Sequence, residues 1–282
     1  MPRKVSRKVI DYKTKLRQIA TDNNLTISKY KNNTVWQYWE KKDGRDIPGY
    51  IAYCMERTRR QCAIDGLKYV LITPENLTKY IPANKIPNNY YLLEEIAHRA
   101  DYVRVAALLY YGGFWVDSDC LIIDSLRPLF DDITKRRNDI VYFDISEKDD
   151  DVEVQIGLLG SKQFNSIYYK WYTRINTVLK KSVNFDWTAI GGDLLRKIIN
   201  RDNKSKILCY DQDETTYPLH WTQASDFFKV GNSDYLRRDF QPAIMLYNHI
   251  FPKEFKNLDD KQFMKWLKTS KTVLADLMRK TE

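Results

Sequence analysis

One stretch of the chain narrows its possible folds more than any other. Residues 101 to 119 read Asp-Tyr-Val-Arg-Val-Ala-Ala-Leu-Leu-Tyr-Tyr-Gly-Gly-Phe-Trp-Val-Asp-Ser-Asp. Ile96, Ala100, Val103 and Ala107 recur at helical spacing, which predicts a helix from about Tyr91 to Tyr110 with that face buried. Gly112 and Gly113 end it, as glycine commonly ends helices. Phe114-Trp115-Val116 then reads as a short buried strand that delivers Asp117 and Asp119 to its carboxyl end. Two side chains one residue apart in a strand share a face. Open α/β sheets bind their ligands at that edge.

The rest of the chain alternates in the same way. Thr34 to Trp39, Leu67 to Ile72, Leu121 to Ile123, Ile140 to Phe143, Val154 to Leu159 and Ile207 to Tyr210 are rich in strand formers. Helices are expected from Pro48 to about Ala63, Glu75 to Tyr80, Phe164 to Leu179 and Trp187 to Ile199. Residues 81–89 form a Pro- and Asn-rich loop, and the run Lys148-Asp149-Asp150-Asp151 reads as a solvated one. Residues 1–30 are a basic lead-in, helical or mobile. Residues 210–258, with Pro218, Pro242 and Pro252, read as an irregular lid or wall, followed by an amphipathic helix from about Asp259 to Arg279. The alternation argues for a single α/β domain over residues 31–282, with a mixed, largely parallel central sheet flanked by helices.

A chain of 282 residues that is 43% apolar can bury a sizeable core and is not a disordered composition. Its net charge of +9 attracts phosphates of any kind, yet no basic ribbon interleaved with aromatics stands out, so no nucleic-acid partner is expected. Cys54, Cys62, Cys120 and Cys209 form no CxxC pair and read as reduced thiols. No apolar signal core follows the basic start, and no run approaches the ~20 apolar residues of a membrane span. A soluble cytoplasmic protein is the expectation. Any lipid-linked acceptor would be met at the membrane surface, through the basic terminal segments.

The hard oxygens of Asp117 and Asp119 suit Mg²⁺ or Mn²⁺, which keep coordination positions open for phosphates. The alternative is a solvated turn after a strand. Asp101 and Arg104 lie three apart on a helix and share a face. They form either a surface ion pair or a donor and acceptor set aimed at a sugar or phosphate. His220 and His249, in the loop-rich tail, are further ligand candidates, the alternative for His220 being simple packing beside Trp221. His98, one turn before Asp101, reads as structural. If the reaction inverts a configuration, a base is needed, and Asp193 after Gly191-Gly192 is the first candidate, with Asp144 second.

Taken together, Val35-Trp36, Asp101-x-x-Arg104 and Gly112-Gly113-Phe114-Trp115-Val116-Asp117-Ser118-Asp119 resemble the DxD glycosyltransferases of the capsular-polysaccharide-synthesis and sugar-binding-region type. That group includes yeast mannosyltransferases and the large clostridial glucosylating toxins. Trp36-Gln37-Tyr38-Trp39 is especially similar to the capsular-synthesis branch. The resemblance implies a GT-A, Rossmann-like fold and a hexosyl- or pentosyltransferase that uses a nucleotide-sugar donor, UDP favoured, with Mn²⁺ or Mg²⁺. It implies that Trp36 stacks on the base, with Gln37 and Ser118 beside the nucleotide. Asp101 and Arg104 would hold ribose or donor sugar, Asp117 the ribose or the metal, and Asp119 the metal directly, with His220 as an added ligand. The acceptor would be a glycan or glycolipid. Rival uses of an Asp-x-Asp pair are a metal-dependent phosphatase, a nuclease, or a sugar-binding module without turnover.

Overall fold

The computed structural model describes residues 12–30, 32–41, 46–144, 154–186 and 188–281. The first eleven residues of the basic lead-in, the acidic run Lys148–Asp151 and the expected helix start at Trp187 lie outside the described residues.

Two helices, α1 (Tyr12–Asp22) and α2 (Ile27–Tyr30), precede strand β1 (Thr34–Tyr38). Leu16, Ala20, Leu25 and Tyr30 are buried against the core, so this segment packs more firmly than its sparse apolar residues suggested. Next come α3 (Gly49–Ile64), β2 (Lys68–Ile72), α4 (Leu77–Tyr80), α5 (Ile96–Tyr111), β3 (Gly113–Val116), β4 (Cys120–Ile122) and α6 (Arg127–Thr134). The chain continues through β5 (Ile140–Asp144), β6 (Gln155–Ser161), α7 (Ser166–Leu179), α8 (Gly192–Ile199) and β7 (Ile207–Asp211). It closes with β8 (Ala243–Met245), α9 (Lys253–Lys256), α10 (Asp260–Thr269) and α11 (Val273–Lys280).

The main sheet has the order β2-β1-β3-β6-β5-β7. Pairs β1/β2, β1/β3 and β5/β7 are parallel, while β3/β6 and β5/β6 are antiparallel. Strand β6 therefore runs against the rest, and the mixed, largely parallel sheet expected from the sequence is present. A small antiparallel sheet, β4/β8, extends from the carboxyl end of β3. Strand alternation sorts the core. Trp36 and Trp115 point to the side covered by α5 and α7, whereas Val35, Phe114 and Val116 face α6.

Helix α5 is buried almost all round, from Asp101 to Tyr111, because the sheet lies on one side of it and α7 on another. Its start is later than expected: a 3₁₀ turn over Asn88–Leu92 precedes it. Gly112 at φ 69° and Gly113 at φ 93° turn the chain straight into β3, and a side chain on Gly113 would collide with the Thr34 carbonyl. The expected C-terminal helix is two helices. Thr272 accepts from the Ala275 amide and caps a new start, so the break falls between Thr269 and Val273. Part of the supposed irregular stretch is also ordered: it contributes β8 and a 3₁₀ helix over Trp221–Phe228.

Candidate active site

Helix α5 and strand β3 meet the site from opposite directions, and one guanidinium joins them. Arg104 Nη1 donates to Asp101 Oδ1 at 2.5 Å, and Nη2 donates to Asp117 Oδ1 at 2.7 Å. Trp115 Nε1 donates to the same Asp117 oxygen at 2.6 Å, and the Arg104 guanidinium lies 5.1 Å from the Trp115 ring centroid. Arg104 is 3% exposed, so its planar fork is spent on two carboxylates inside the protein rather than held out to a sugar or phosphate. It holds both carboxylates in place, while its Nε is buried without a hydrogen-bond partner among the described residues.

The edge of β3 is pinned from both sides. The Asp117 amide donates to the Gly157 carbonyl at 2.7 Å, and Gln37 Nε2 donates to the Asp117 carbonyl at 3.2 Å. Asp119 is held by the late segment: its Oδ2 accepts from the Asn248 amide at 3.3 Å, and its carbonyl accepts from Leu246 N at 3.0 Å. The Tyr50 hydroxyl bonds to Asn248 Oδ1 behind it. Asp117 and Asp119 are both half-buried. Asp101 and Asp117 share a single arginine, Asp119 lies within electrostatic reach of both Asp117 and Arg104, and the group carries excess negative charge.

The titration of the site reflects this. Burial, and then the Asp117 charge, push the Asp119 carboxyl up to about 7 despite the Asn248 amide. Burial also raises Asp101, opposed by Arg104. For Arg104, burial alone would lower the pKa, but Asp117 and Asp101 raise it instead. Two neighbouring carboxylates with this imbalance form a hard-oxygen donor set that fits Mg²⁺ or Mn²⁺, which typically take one or two protein carboxylates together with substrate oxygens. Among the described residues no group of three or more His, Cys, Asp and Glu side chains is poised around one point.

Other expected site residues are placed elsewhere. Trp36 is fully buried, donates to the Gly112 carbonyl at 2.9 Å and packs among Tyr30, Tyr80 and Tyr111, so it has no face to offer a base. Gln37 is fully buried and also accepts from the Tyr69 hydroxyl at 2.8 Å. Ser118 is buried in the turn after β3 and donates to the Tyr38 carbonyl at 2.9 Å. His220 is exposed and caps the 3₁₀ helix through Nδ1, which meets Thr222 Oγ1 at 2.8 Å. His249 is exposed and follows Asn248, whose amide donates to Asp119. Asp193 sits at the start of α8, where Oδ2 accepts from Thr188 Oγ1 at 2.7 Å. The same loop passes close to the cluster: a Cβ on Gly191 would stand 3.2 Å from Asp101 Oδ2. Asp144 pairs with Arg196 at 3.6 Å, and His98 is buried with its ring 4.7 Å from that of Phe185.

Gly157 matters for a reason of space. A Cβ there would run into the Met245 methyl group and stand 3.0 Å from Asp117 Oδ2. Gly157→Ala is therefore expected to displace that carboxylate oxygen and lower turnover by about tenfold or more, with a smaller loss of stability of ~1–3 kcal/mol. Paired activity and melting measurements check this, and unchanged turnover would show that the Asp117 oxygen is not needed where it stands.

With this geometry in view, the chain belongs to the capsular polysaccharide synthesis protein family, whose match spans residues 2–184. This bears out the resemblance carried by the Asp-x-x-Arg and Gly-Gly-to-Asp-x-Asp motifs. No curated protein sequence matches. Among solved structures the chain is similar to a glycosyltransferase involved in the glycosylation of the major capsid of PBCV-1, at 11% identity over 76% of this chain and 93% of that one, TM-score 0.45. A galactosyltransferase, LgtC, solved with donor and acceptor sugar analogs, is similar at 12% identity over 88% and 99%, TM-score 0.46. GlyE, a glycosyltransferase of Streptococcus pneumoniae TIGR4, is similar at 14% identity over 86% and 65%, TM-score 0.40. Likenesses this distant say nothing of substrate. No helix among the described residues is long and apolar enough to cross a membrane.

Proposed function

We propose that the protein is a metal-dependent glycosyltransferase that moves a sugar from a nucleotide-sugar donor, a UDP-sugar by preference, to a hydroxyl of a glycan or glycolipid. The observation that carries this reading is the pair of carboxylates, Asp101 and Asp117, held by one buried arginine past the carboxyl end of β3 with Asp119 two residues on, in a chain of the capsular polysaccharide synthesis family. Asp117 and Asp119 would hold Mn²⁺ or Mg²⁺. When bound, the cation supplies Lewis-acid stabilisation of the charge that grows on the departing diphosphate. Arg104 keeps Asp101 and Asp117 in register, so that their free oxygens accept hydroxyl hydrogen bonds from the donor. Gly157 and Gly191 leave room for it. Asp193, two residues beyond Gly191, is the base in an inverting reaction.

The base platform passes from Trp36 to Trp39. Trp39 follows β1 directly, beside the Tyr38 carbonyl that Ser118 grips. It is half-buried, and its indole nitrogen is buried with no acceptor among the described residues. A nucleotide base stacked on such a ring gains ~1–3 kcal/mol, or about tenfold in affinity.

A panel of nucleotide sugars, with Mn²⁺ present and then chelated, tests the reading through release of nucleoside diphosphate. Release from at least one donor, lost on chelation, is expected. In Trp39→Ala the same diphosphate should bind about tenfold more weakly by calorimetry, and Trp39→Phe should recover most of that. Release from no donor, or release indifferent to the metal, would overturn the assignment.

A further inference from the structure

The segment from Thr216 to Trp221 passes beside the carboxylates, with Tyr217 within electrostatic reach of Asp117 and Asp119, and its exposed tip has a composition that suits sugars. The segment is tied to the wall of the cluster at two points. Met245 N, on the strand that crowds Gly157 and Asp117, donates to the Thr216 carbonyl at 3.0 Å. The hydroxyl of Tyr247, which precedes the Asn248 amide bound to Asp119, donates to the Leu219 carbonyl at 2.6 Å. Beyond these ties the chain leaves the core at once. Leu219 is buried, His220 is exposed, and Trp221 is 55% exposed, although it is among the largest apolar side chains in the protein.

That exposure is not loose. His220 caps the helix that Trp221 begins, with Gln223 Oε1 accepting from the His220 amide at 3.0 Å in return. The two rings lie 5.3 Å apart. Asp213, also exposed, lies within electrostatic reach of His220. The indole is thus fixed in water beside the imidazole, with the Asp213 carboxylate within reach of that imidazole. This arrangement matches a pyranose ring, which has an apolar C–H face for the indole and hydroxyls around its rim for His220 and Asp213.

We propose that His220 and Trp221 form the platform on which a pyranose of the acceptor rests. This takes up the acceptor half of the glycosyltransferase reading. It also gives His220, which caps the helix through Nδ1, a part in holding substrate.

Saturation-transfer NMR with the methyl glycosides of glucose, galactose, mannose and N-acetylglucosamine tests the platform without any need for turnover. Transfer to ring C–H protons of at least one glycoside is expected. It should weaken about fivefold or more in Trp221→Ala and stay within about twofold of wild type in Trp221→Phe, which keeps an aromatic face. Binding of UDP with Mn²⁺, measured by calorimetry, should be the same in wild type and both variants. Transfer to none of the four glycosides, or transfer that survives Trp221→Ala undiminished, would overturn the platform. A wild-type protein that binds a pyranoside through Trp221 but no nucleoside diphosphate would instead sink the donor reading alone.

Discussion

Replacing Asp119 by asparagine is expected to abolish sugar transfer while making the metal-free protein more heat-stable above pH 7. Both effects come from one charge. Burial and the neighbouring Asp117 lift the Asp119 carboxyl to about 7, whereas an unfolded aspartate titrates near ~4. Between those values the folded chain holds a proton that the unfolded chain has lost. Stability therefore falls as pH rises through that window, and the full penalty is present above it. Three units at ~1.4 kcal/mol each set a ceiling of about 4 kcal/mol; access of water to a half-buried group reduces this to about 2 kcal/mol. Asparagine removes the charge and keeps an oxygen that can accept from the Asn248 amide. A rise of about 4 °C in melting temperature at pH 8 follows, and little change at pH 5. The cation acts in the opposite sense. It relieves the repulsion in the wild type, so Mn²⁺ should raise the melting temperature more at pH 8 than at pH 6, and should do nothing for the variant. Transfer should drop by about a thousandfold, the order expected when a Lewis acid is lost. Melting scans at the two pH values, with and without Mn²⁺, check the stability half. A variant that melts below wild type at pH 8 would mean that the Asp119 charge is already neutralised by some other group.

The parts of this site that the sequence announced are those fixed by spacing along one element. Asp101 and Arg104 share a helical face at any position of α5, whereas Asp117, Ser118 and Asp119 lie past the end of β3, in a turn closed by the Cys120 amide on the Asp117 carbonyl at 3.0 Å, so the strand alternation expected of them does not apply. Within that turn Ser118 is buried and bonds to the Tyr38 carbonyl. Trp36 and Trp39 show where such reasoning stops. Alternation along β1 puts Trp36 and Tyr38 on one face, but which face α5 covers is decided by residues 70 positions later. His220 is a sharper case. It lies 101 positions from Asp119, and a histidine in a loop carries no mark of its distance from anything; the structure uses it as a helix cap. Backbone donors leave no signal at all, so the Asn248 amide on Asp119 could not be read in advance. Gly157 and Gly191 were silent for the same reason, since their contribution is the absence of a side chain. Strand β8 was hidden by its length: Ala243, Ile244 and Met245 are too few to show a period, and Pro242 before them looks like the end of order.

Arg104 is where stability and function are least separable, and Arg104→Met should show it. The methionine fills much of the same space against Trp115 but makes neither the 2.5 Å bond to Asp101 nor the 2.7 Å bond to Asp117. Two carboxylates then face each other across a gap that water barely enters. Removing one partner of a buried ion pair costs ~3–5 kcal/mol, because the charge left behind is uncompensated. For a chain of this size that is a fall of about 10 °C in melting temperature at pH 7.5. The sign of its pH dependence separates this cause from lost packing. Burial already raises Asp101 and Arg104 is the first of the groups that oppose it, ahead of His98, so without the arginine Asp101 moves further up. The variant's stability deficit should thus shrink as pH falls and Asp101 takes a proton, whereas a packing defect would be indifferent to pH. Asp101→Asn combined with Arg104→Met should recover about half of the loss, since one of the two stranded charges is gone. Neither form should transfer sugar, because Asp117 is no longer held at the edge of β3. An Arg104→Met protein within about 1 kcal/mol of wild type at pH 7.5 would show that water, not the arginine, solvates these carboxylates. The reading of the cluster as a charge-tight cradle would then be wrong.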